Sequence, residues 1–300
     1  MEWQWTMEMI ILVLVLGAVV LYVDATVGLG YGTLLVPLFI GMGMPPGIVV
    51  PALIGGQLVG GAVAGFFHNR LGNIRIKTTD AYASARGDGE LGCVKDELSK
   101  GKPEGSVSKG GAFWANWSTD TKVIAIFGFI GALAAIFGAI VHVGIPAFWV
   151  SLYIGGMVTA IGIWLLITQL IGWKPTFTLT GLWGIGAIAG FNKGLTGGGY
   201  GPILTAGQLA TGRGPKSTVG CTTTAEVIVS SAAFITYLII KGVGEIDWLL
   251  LGLLCAGALV GAPLSAKTVK IMPGRALKSI IAVVIIAAGV WALSKALGWR

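Results

Sequence analysis

Long tracts with almost no charge restrict this chain more than any other feature. Residues 49–67, 123–141, 148–171, 217–240, 248–266 and 280–293 are predominantly apolar, and Glu226 is the one charged residue among them. A helix that crosses a bilayer needs roughly 20 predominantly apolar residues. The hydrocarbon core offers no partner to a free backbone group, so several such tracts in one chain imply stacked helices. The expectation is an all-α integral membrane protein. Only 11% of the residues are charged, against about 25% in a soluble domain. The 49 glycines fit the same reading, since small residues let membrane helices approach closely. Trp3, Trp5, Trp173, Trp248 and Trp299 stand at predicted helix ends, where indole rings favour the headgroup level.

The composition excludes several function classes. Cys93, Cys221 and Cys255 have neither disulfide nor metal spacing, and His68 and His142 are too few for a histidine site. No metal and no cofactor is expected. The net charge of +7 is read as basic loops beside a membrane, not as a nucleic-acid surface. Zinc-protease, nucleophile-elbow and Walker A patterns are missing from the sequence, so no enzyme is expected. Residues 9–23 follow no basic stretch and precede no small-residue cleavage site, and are read as part of the mature protein.

The chain repeats itself. Gly28, Leu29, Gly30, Tyr31 and Gly32 return 169 positions on as Gly197, Gly198, Gly199, Tyr200 and Gly201. In the same register Leu35 meets Leu204, Gly43 meets Gly212, Pro46 meets Pro215 and Val50 meets Val219. Asp24 falls on Lys193 and Gln57 on Glu226. Further along, Gly131 meets Gly257 and Gly172 meets Gly298 at an offset of 126. The difference marks an insertion in the first half. The division is therefore 1–72 with 123–173 as a first transmembrane repeat, 73–122 as a polar insertion, and 174–300 as a second repeat. Each unit reads as five apolar segments. In the first they are 9–23, 33–42, 48–67, 123–141 and 147–171; in the second, 178–191, 202–210, 217–240, 248–266 and 276–297. The opening two of each look too short to span, and they flank the glycine motif. They are read as short helices broken at the motif or as a re-entrant pair.

Lys and Arg collect on cytoplasmic loops. With the N-terminus outside, the inner loops hold Arg70 to Lys122, Lys174, Arg213 with Lys216, and Lys267, Lys270 and Arg275. Lys295 and Arg300 run against that assignment. An odd number of segments per unit makes the two repeats inverted, the plan of many secondary transporters, whose sites lie at the repeat interface. The insertion 73–122 is then a cytoplasmic loop, with interaction or regulation as alternatives to a tolerated surface insertion.

Successive glycines weaken a helix and favour a turn that presents N–H groups at the start of the next helix. That makes an anion site without a formal charge. Two such turns brought together would face one central pocket; close helix packing is the competing reading. The substrate-binding candidates are Gly30, Tyr31, Gly32, Lys193, Gly198, Gly199, Tyr200, Gly201, Thr222, Thr223 and Thr224. Tyr31 and Tyr200 either turn a hydroxyl inward or pack as aromatics. Lys193 can draw an anion to the second motif, or pair with Asp24 across the pseudo-axis. Glu226, opposite only Gln57 in the repeat register, either carries a coupling proton or hydrogen-bonds within the bundle. Asp24, Gln57 and Glu226 are thus coupling or ion-pair candidates. The threonines either bind solute or bond back to their own helix. Asn192, Thr196 and Gln208 add further donors.

The duplicated glycine–tyrosine turns, each followed by an apolar stretch and a proline–small-residue step, resemble the sulfite exporter TauE/SafE family of membrane permeases. The resemblance is carried by residues 25–61 and 190–231 and extends over nearly the whole chain outside 73–121. It implies a permease of the cytoplasmic membrane that moves small sulfur-containing anions, such as sulfite or organosulfonates. It places the site on Gly30, Tyr31, Gly32, Gly198, Gly199 and Gly201. The partners expected are a small anionic substrate and the lipid bilayer; self-association stays open. Alternating access is the leading mechanism, with an anion channel and a membrane subunit of a sensing or assembly complex as alternatives.

Overall fold

The computed structural model describes residues 5–76, 117–142 and 179–296, with residues 146, 148–149, 152–153, 156, 159–160, 163, 166–167 and 171 besides. The segment at 147–171 and the insertion at 73–122 therefore lie largely outside the described residues. Among those described, all regular structure is helical. The order is α1 (Met7–Val27), α2 (Tyr31–Gly41), α3 (Pro46–Arg70), α4 (Thr119–His142), α5 (Leu179–Thr196), α6 (Tyr200–Ala210), α7 (Pro215–Lys241), α8 (Trp248–Ile271) and α9 (Gly274–Ala296). Five of them, α1, α3, α4, α7 and α8, are long and apolar enough to cross a membrane. Their outer faces carry Phe129, Phe137, Ile239 and Val260, all more than half exposed, a surface suited to lipid rather than water.

Local chemistry sets the boundaries, and it does so in equivalent ways in the two halves. Pro46 and Pro215 open α3 and α7, where a fixed φ suits the first helical position and the missing N–H costs nothing. Gly28 closes α1 at φ 70° and Gly197 follows α5 at φ 73°. Gly30 and Gly199 precede α2 and α6 at φ 87° and 77°. These left-handed positions let a helix stop and restart within three residues. Thr6 and Asp247 cap α1 and α8 through their side chains.

One expectation is corrected. The opening segment was expected to be too short to span, yet α1 runs for 21 residues. The apolar tract ends at Asp24, but the helix continues for a further turn because Asp24 has partners inside the bundle.

Contacts fix how the helices run. Lys241 Nζ donates to Gly47 O at 2.8 Å, Gly61 approaches Val227, and Gly220 lies against His68. Helices α3 and α7 are therefore antiparallel. Arg213 reaches Asp120 at the start of α4, and Lys216 Nζ donates to Lys270 O at the end of α8. Arg75, Asp120, Arg213, Lys216 and Lys270 thus share one end of the bundle, and Lys241 lies at the other.

The halves exchange partners. Helix α1 packs along α8 with Gly257 and Gly261 against the Leu14 and Ala18 carbonyls, while α5 packs along α4 with Gly190 and Gly194 against the Gly131 and Ala135 carbonyls. A side chain at any of these glycines would drive the backbones apart, so the crossings depend on them. Two bonds at the same offset of 169 express the correspondence in different chemistry. His68 Nε2 meets Ala25 O at 3.0 Å, and Tyr237 Oη donates to Gly194 O at 2.9 Å.

Candidate functional site

The two glycine turns meet backbone to backbone at the middle of the bundle. A Cβ on Gly32 would strike Gly197 O, and a Cβ on Gly201 would lie 2.7 Å from Gly28 O and 2.5 Å from Gly30 N. These two approaches are equivalent under the repeat. The turns are thus brought together as expected, but in this conformation they touch. Protein groups take the amides expected to meet an anion. Gly30 N donates to Asp24 Oδ1 at 2.6 Å, Gly198 N to Thr196 Oγ1 at 3.1 Å, and Gly199 N to Thr33 Oγ1 at 2.9 Å. The Asp24 carboxylate therefore sits just before the N-terminus of α2, where the helix dipole favours negative charge. In the second half that position belongs to Lys193.

Four side chains join the halves beside the crossing. Gln57 Nε2 donates to Asp24 Oδ2 at 2.9 Å, Lys193 Nζ donates to Gln57 Oε1, and Lys193 Nζ lies 2.9 Å from Glu226 Oε1. All four residues are at least 96% buried. They come from α1, α3, α5 and α7, and they are the two equivalent pairs Asp24 with Lys193 and Gln57 with Glu226. The direct Asp24–Lys193 ion pair weighed in the sequence does not form. Gln57 stands between them and bonds both, because its amide offers a donor to one and an acceptor to the other. Glu226 is not a lone carboxylate; Lys193 is its partner, and Lys193 is thereby engaged on two sides.

The remaining candidates separate. Successive helical residues point about 100° apart, so Thr222, Thr223 and Thr224 cannot share a face. Thr222 Oγ1 accepts from Gln208 Nε2 at 2.9 Å. Thr224 Oγ1 bonds back to Gly220 O at 2.7 Å, the local bond common for threonine in helices. Thr223 is buried, and its carbonyl side faces Gly61. The tyrosines turn away from the crossing. Tyr200 Oη donates to Phe127 O on α4 at 3.4 Å, and the Tyr31 hydroxyl lies near Gly17 and α8, buried without a hydrogen-bond partner among the described residues. Asn192 and Thr196 are fully buried, with Thr196 Oγ1 donating to Asn192 O.

Sequence reasoning missed Thr33, whose hydroxyl spans the crossing to the second turn. It also missed the Asp120–Arg213 pair at 2.5 Å. Thr33 falls one residue past the repeated motif, opposite Pro202, and that difference was the available signal. Among the described residues no cluster of ligating side chains could hold a metal ion.

The family model described as Sulfite exporter TauE/SafE matches residues 105–292, a span that includes the second glycine turn, Lys193 and Glu226. The chain is 22% identical over 272 residues to a Bacillus subtilis (strain 168) protein named Probable membrane transporter protein YtnM, an alignment covering 88% of this chain and 76% of that one. No solved structure matches.

Proposed function

The chain belongs to the sulfite exporter TauE/SafE family, and from that premise we propose that it is a secondary carrier moving a small sulfur-containing oxyanion, such as sulfite or an organosulfonate, across the cytoplasmic membrane. The observation that carries the reading is the buried centre where Asp24, Gln57, Lys193 and Glu226 join the halves beside the crossed turns. Charged groups inside a membrane bundle mark solute or ion pathways. The centre also holds the donors an oxyanion needs: the Lys193 ammonium and the amides before α2 and α6, now held by Asp24, Thr33 and Thr196.

The mechanism proposed is alternating access between inverted halves. Its support is the antiparallel run of α3 and α7, which hold equivalent positions, and the exchange of α4 and α8 as partners of α5 and α1. The α1–α2 and α5–α6 pairs then enter from opposite faces and meet at their tips. The basic end of the bundle faces the cytoplasm, following the distribution of Lys and Arg. A proton accompanies the anion in this reading. With Asp24 and Glu226 both ionised, two carboxylates face one ammonium, so an entering anion raises the excess of negative charge unless a proton arrives with it.

The test is uptake into proteoliposomes with labelled sulfite and with short organosulfonates. A carrier saturates and shows counterflow; an ohmic current would replace it with a pore. Lys193→Ala is expected to weaken binding or uptake at least tenfold, and unchanged affinity would remove Lys193 from the site. Glu226→Gln is expected to abolish the pH dependence of flux; an intact dependence would end the proton role.

A further inference from the structure

The halves differ in chemistry between the glycine crossing and the end of the bundle that carries Arg213. Thr205 Oγ1 donates to Gly28 O at 3.1 Å and lies 3.5 Å from Thr222 Oγ1. Gln208 Nε2 donates to Thr222 Oγ1 at 2.9 Å, and Gln208 Oε1 accepts from Arg213 Nη1 at 2.6 Å. Arg213 Nη2 donates to Asp120 Oδ1 at 2.5 Å and to Ser217 Oγ at 2.8 Å. An unbroken line of polar side chains thus runs from the tip of the first turn to the start of α4. Thr205, Gln208, Arg213 and Thr222 are each at most 8% exposed. Thr218, one turn before Thr222, is fully buried, and its hydroxyl has no hydrogen-bond partner among the described residues.

In the register of 169, Thr205, Gln208, Arg213, Ser217, Thr218 and Thr222 stand where the first half has Val36, Phe39, Met44, Ile48, Val49 and Leu53. The correspondence is spatial as well. Thr205 lies against Gly28 just as Val36 lies against Gly197, where a Cβ on Gly197 would be 3.4 Å from Val36 Cγ2. The first-half residues all belong to or pack on the apolar core. Packing this position therefore has an apolar solution, and the chain uses it once. The other copy buries polar groups, which is unfavourable unless they are hydrogen-bonded, and leaves one hydroxyl unpaired at a cost of about 1–3 kcal/mol.

We propose that this polar line is a half-path by which small anions reach the glycine crossing from the Arg213 end, and that the Asp120–Arg213 pair is its gate. The proposal rests on the reading of the chain as an anion carrier. In the closed state the Asp120 carboxylate accepts from Arg213 Nη2, and a guanidinium released from it can receive an oxyanion instead. When Asp120 turns away, Arg213 takes the solute. The Gln208 amide and the Thr222 and Thr205 hydroxyls then pass it toward the backbone of the first turn. The equivalent route in the first half stays sealed by Val36, Phe39, Met44 and Leu53.

Cys221 reports on the gate directly. It is fully buried, with its Sγ 3.6 Å from Arg213 Nη2 and 3.9 Å from Asp120 O. The experiment uses the reconstituted full chain with Cys93→Ser and Cys255→Ser. It follows modification of Cys221 by sulfonatoethyl methanethiosulfonate, an anion, and by the trimethylammonium analogue. Asp120→Asn is expected to speed the anionic reagent at least about tenfold, the factor set by about 1.4 kcal/mol, and to speed it more than the cationic one. A cysteine introduced by Ala233→Cys, buried elsewhere on α7, is expected to stay protected in the same background with Cys221→Ser. Acceleration at both positions alike, at neither, or without preference for the anion overturns the gate. In a second arm, Thr205→Val copies the first half; solute flux is expected to fall at least tenfold with Cys221 labelling unaltered, and full flux overturns the half-path. Gated labelling in a protein that moves no anion would retain the gate and remove the carrier reading instead.

Discussion

Replacing Lys193 with methionine takes the ammonium out of a buried centre that also holds the Asp24 and Glu226 carboxylates. At the observed Nζ–Oε1 separation of 2.9 Å, the attraction to Glu226 is about 6 kcal/mol at an effective dielectric of ~20. Part of that is offset by the desolvation of both ions. Both side chains are at most 3% exposed, so solvent screens little of what is left. Removing one partner of a buried pair leaves an uncompensated charge and costs about 3–5 kcal/mol. Lys193→Met is therefore expected to destabilise the protein by that amount, since Glu226 is then buried without its cation. Glu226→Gln has a different consequence for the charge balance: it keeps an acceptor for the ammonium, and Asp24 remains linked to Lys193 through Gln57. Its expected cost is about 1.5–3 kcal/mol, that of one hydrogen bond to a charged group. The assay is reversible unfolding of purified protein in mixed micelles at neutral pH, on both single variants and on the double variant. The double variant is expected to be more stable than Lys193→Met alone, because the stranded carboxylate is gone. If Glu226→Gln costs as much as Lys193→Met, or if the two effects simply add, the pair is not the electrostatic centre described.

Gly201→Ala puts a Cβ 2.7 Å from Gly28 O and is expected to cost about 1–3 kcal/mol through overpacking and to abolish transport; Gly252→Ala, with nothing within 4 Å of its Cβ, is expected to be neutral or to gain up to ~1 kcal/mol. Thermal melts of the two variants beside the parent check this. Tyr237→Phe strands the Gly194 carbonyl and is expected to lower stability by about 1 kcal/mol, measured by the same unfolding titration. Sulfite, sulfate, thiosulfate and short organosulfonates are each to be tested for ligand stabilisation; one present at 100 times its dissociation constant stabilises by about 2.7 kcal/mol, and that shift is expected to vanish in Lys193→Ala.

How much of this was legible in the sequence depends on range. The apolar tracts, the repeated turns and the equivalent pairs Asp24 with Lys193 and Gln57 with Glu226 are periodic or self-similar features, and a single chain displays them. The register matched Asp24 with Lys193 and Gln57 with Glu226, but it did not bring the two pairs together in space. Nor did it give the partners within the group. Gln57 sits between Asp24 and Lys193 because of side-chain reach and helix crossing, which no spacing encodes. The length of α1 was misjudged because a charge inside an apolar tract looks like its end, when here the charge is satisfied by Gln57 and by the Gly30 amide. The turns were expected to open onto a pocket, and Gly32 and Gly201 instead let them touch; glycine permits both close approach and exposed amides, so composition alone does not choose between them. Thr222, Thr223 and Thr224 read as one cluster in sequence, yet a helix sends adjacent side chains in different directions.

The exchange of partners between the halves also governs how the protein is made. Helix α1 finds its surface on α8, whose residues Gly257 and Gly261 receive it. Synthesis runs from the N-terminus at about 5–20 residues per second, so α1 waits on the order of tens of seconds for that surface to emerge. For most of that interval Asp24 is inserted before Lys193 has been synthesised. The first half therefore lacks, until α8 emerges, the surface that receives its opening helix. A chain interrupted before α8 leaves an apolar N-terminal helix without the surface that receives it, a natural target for membrane quality control.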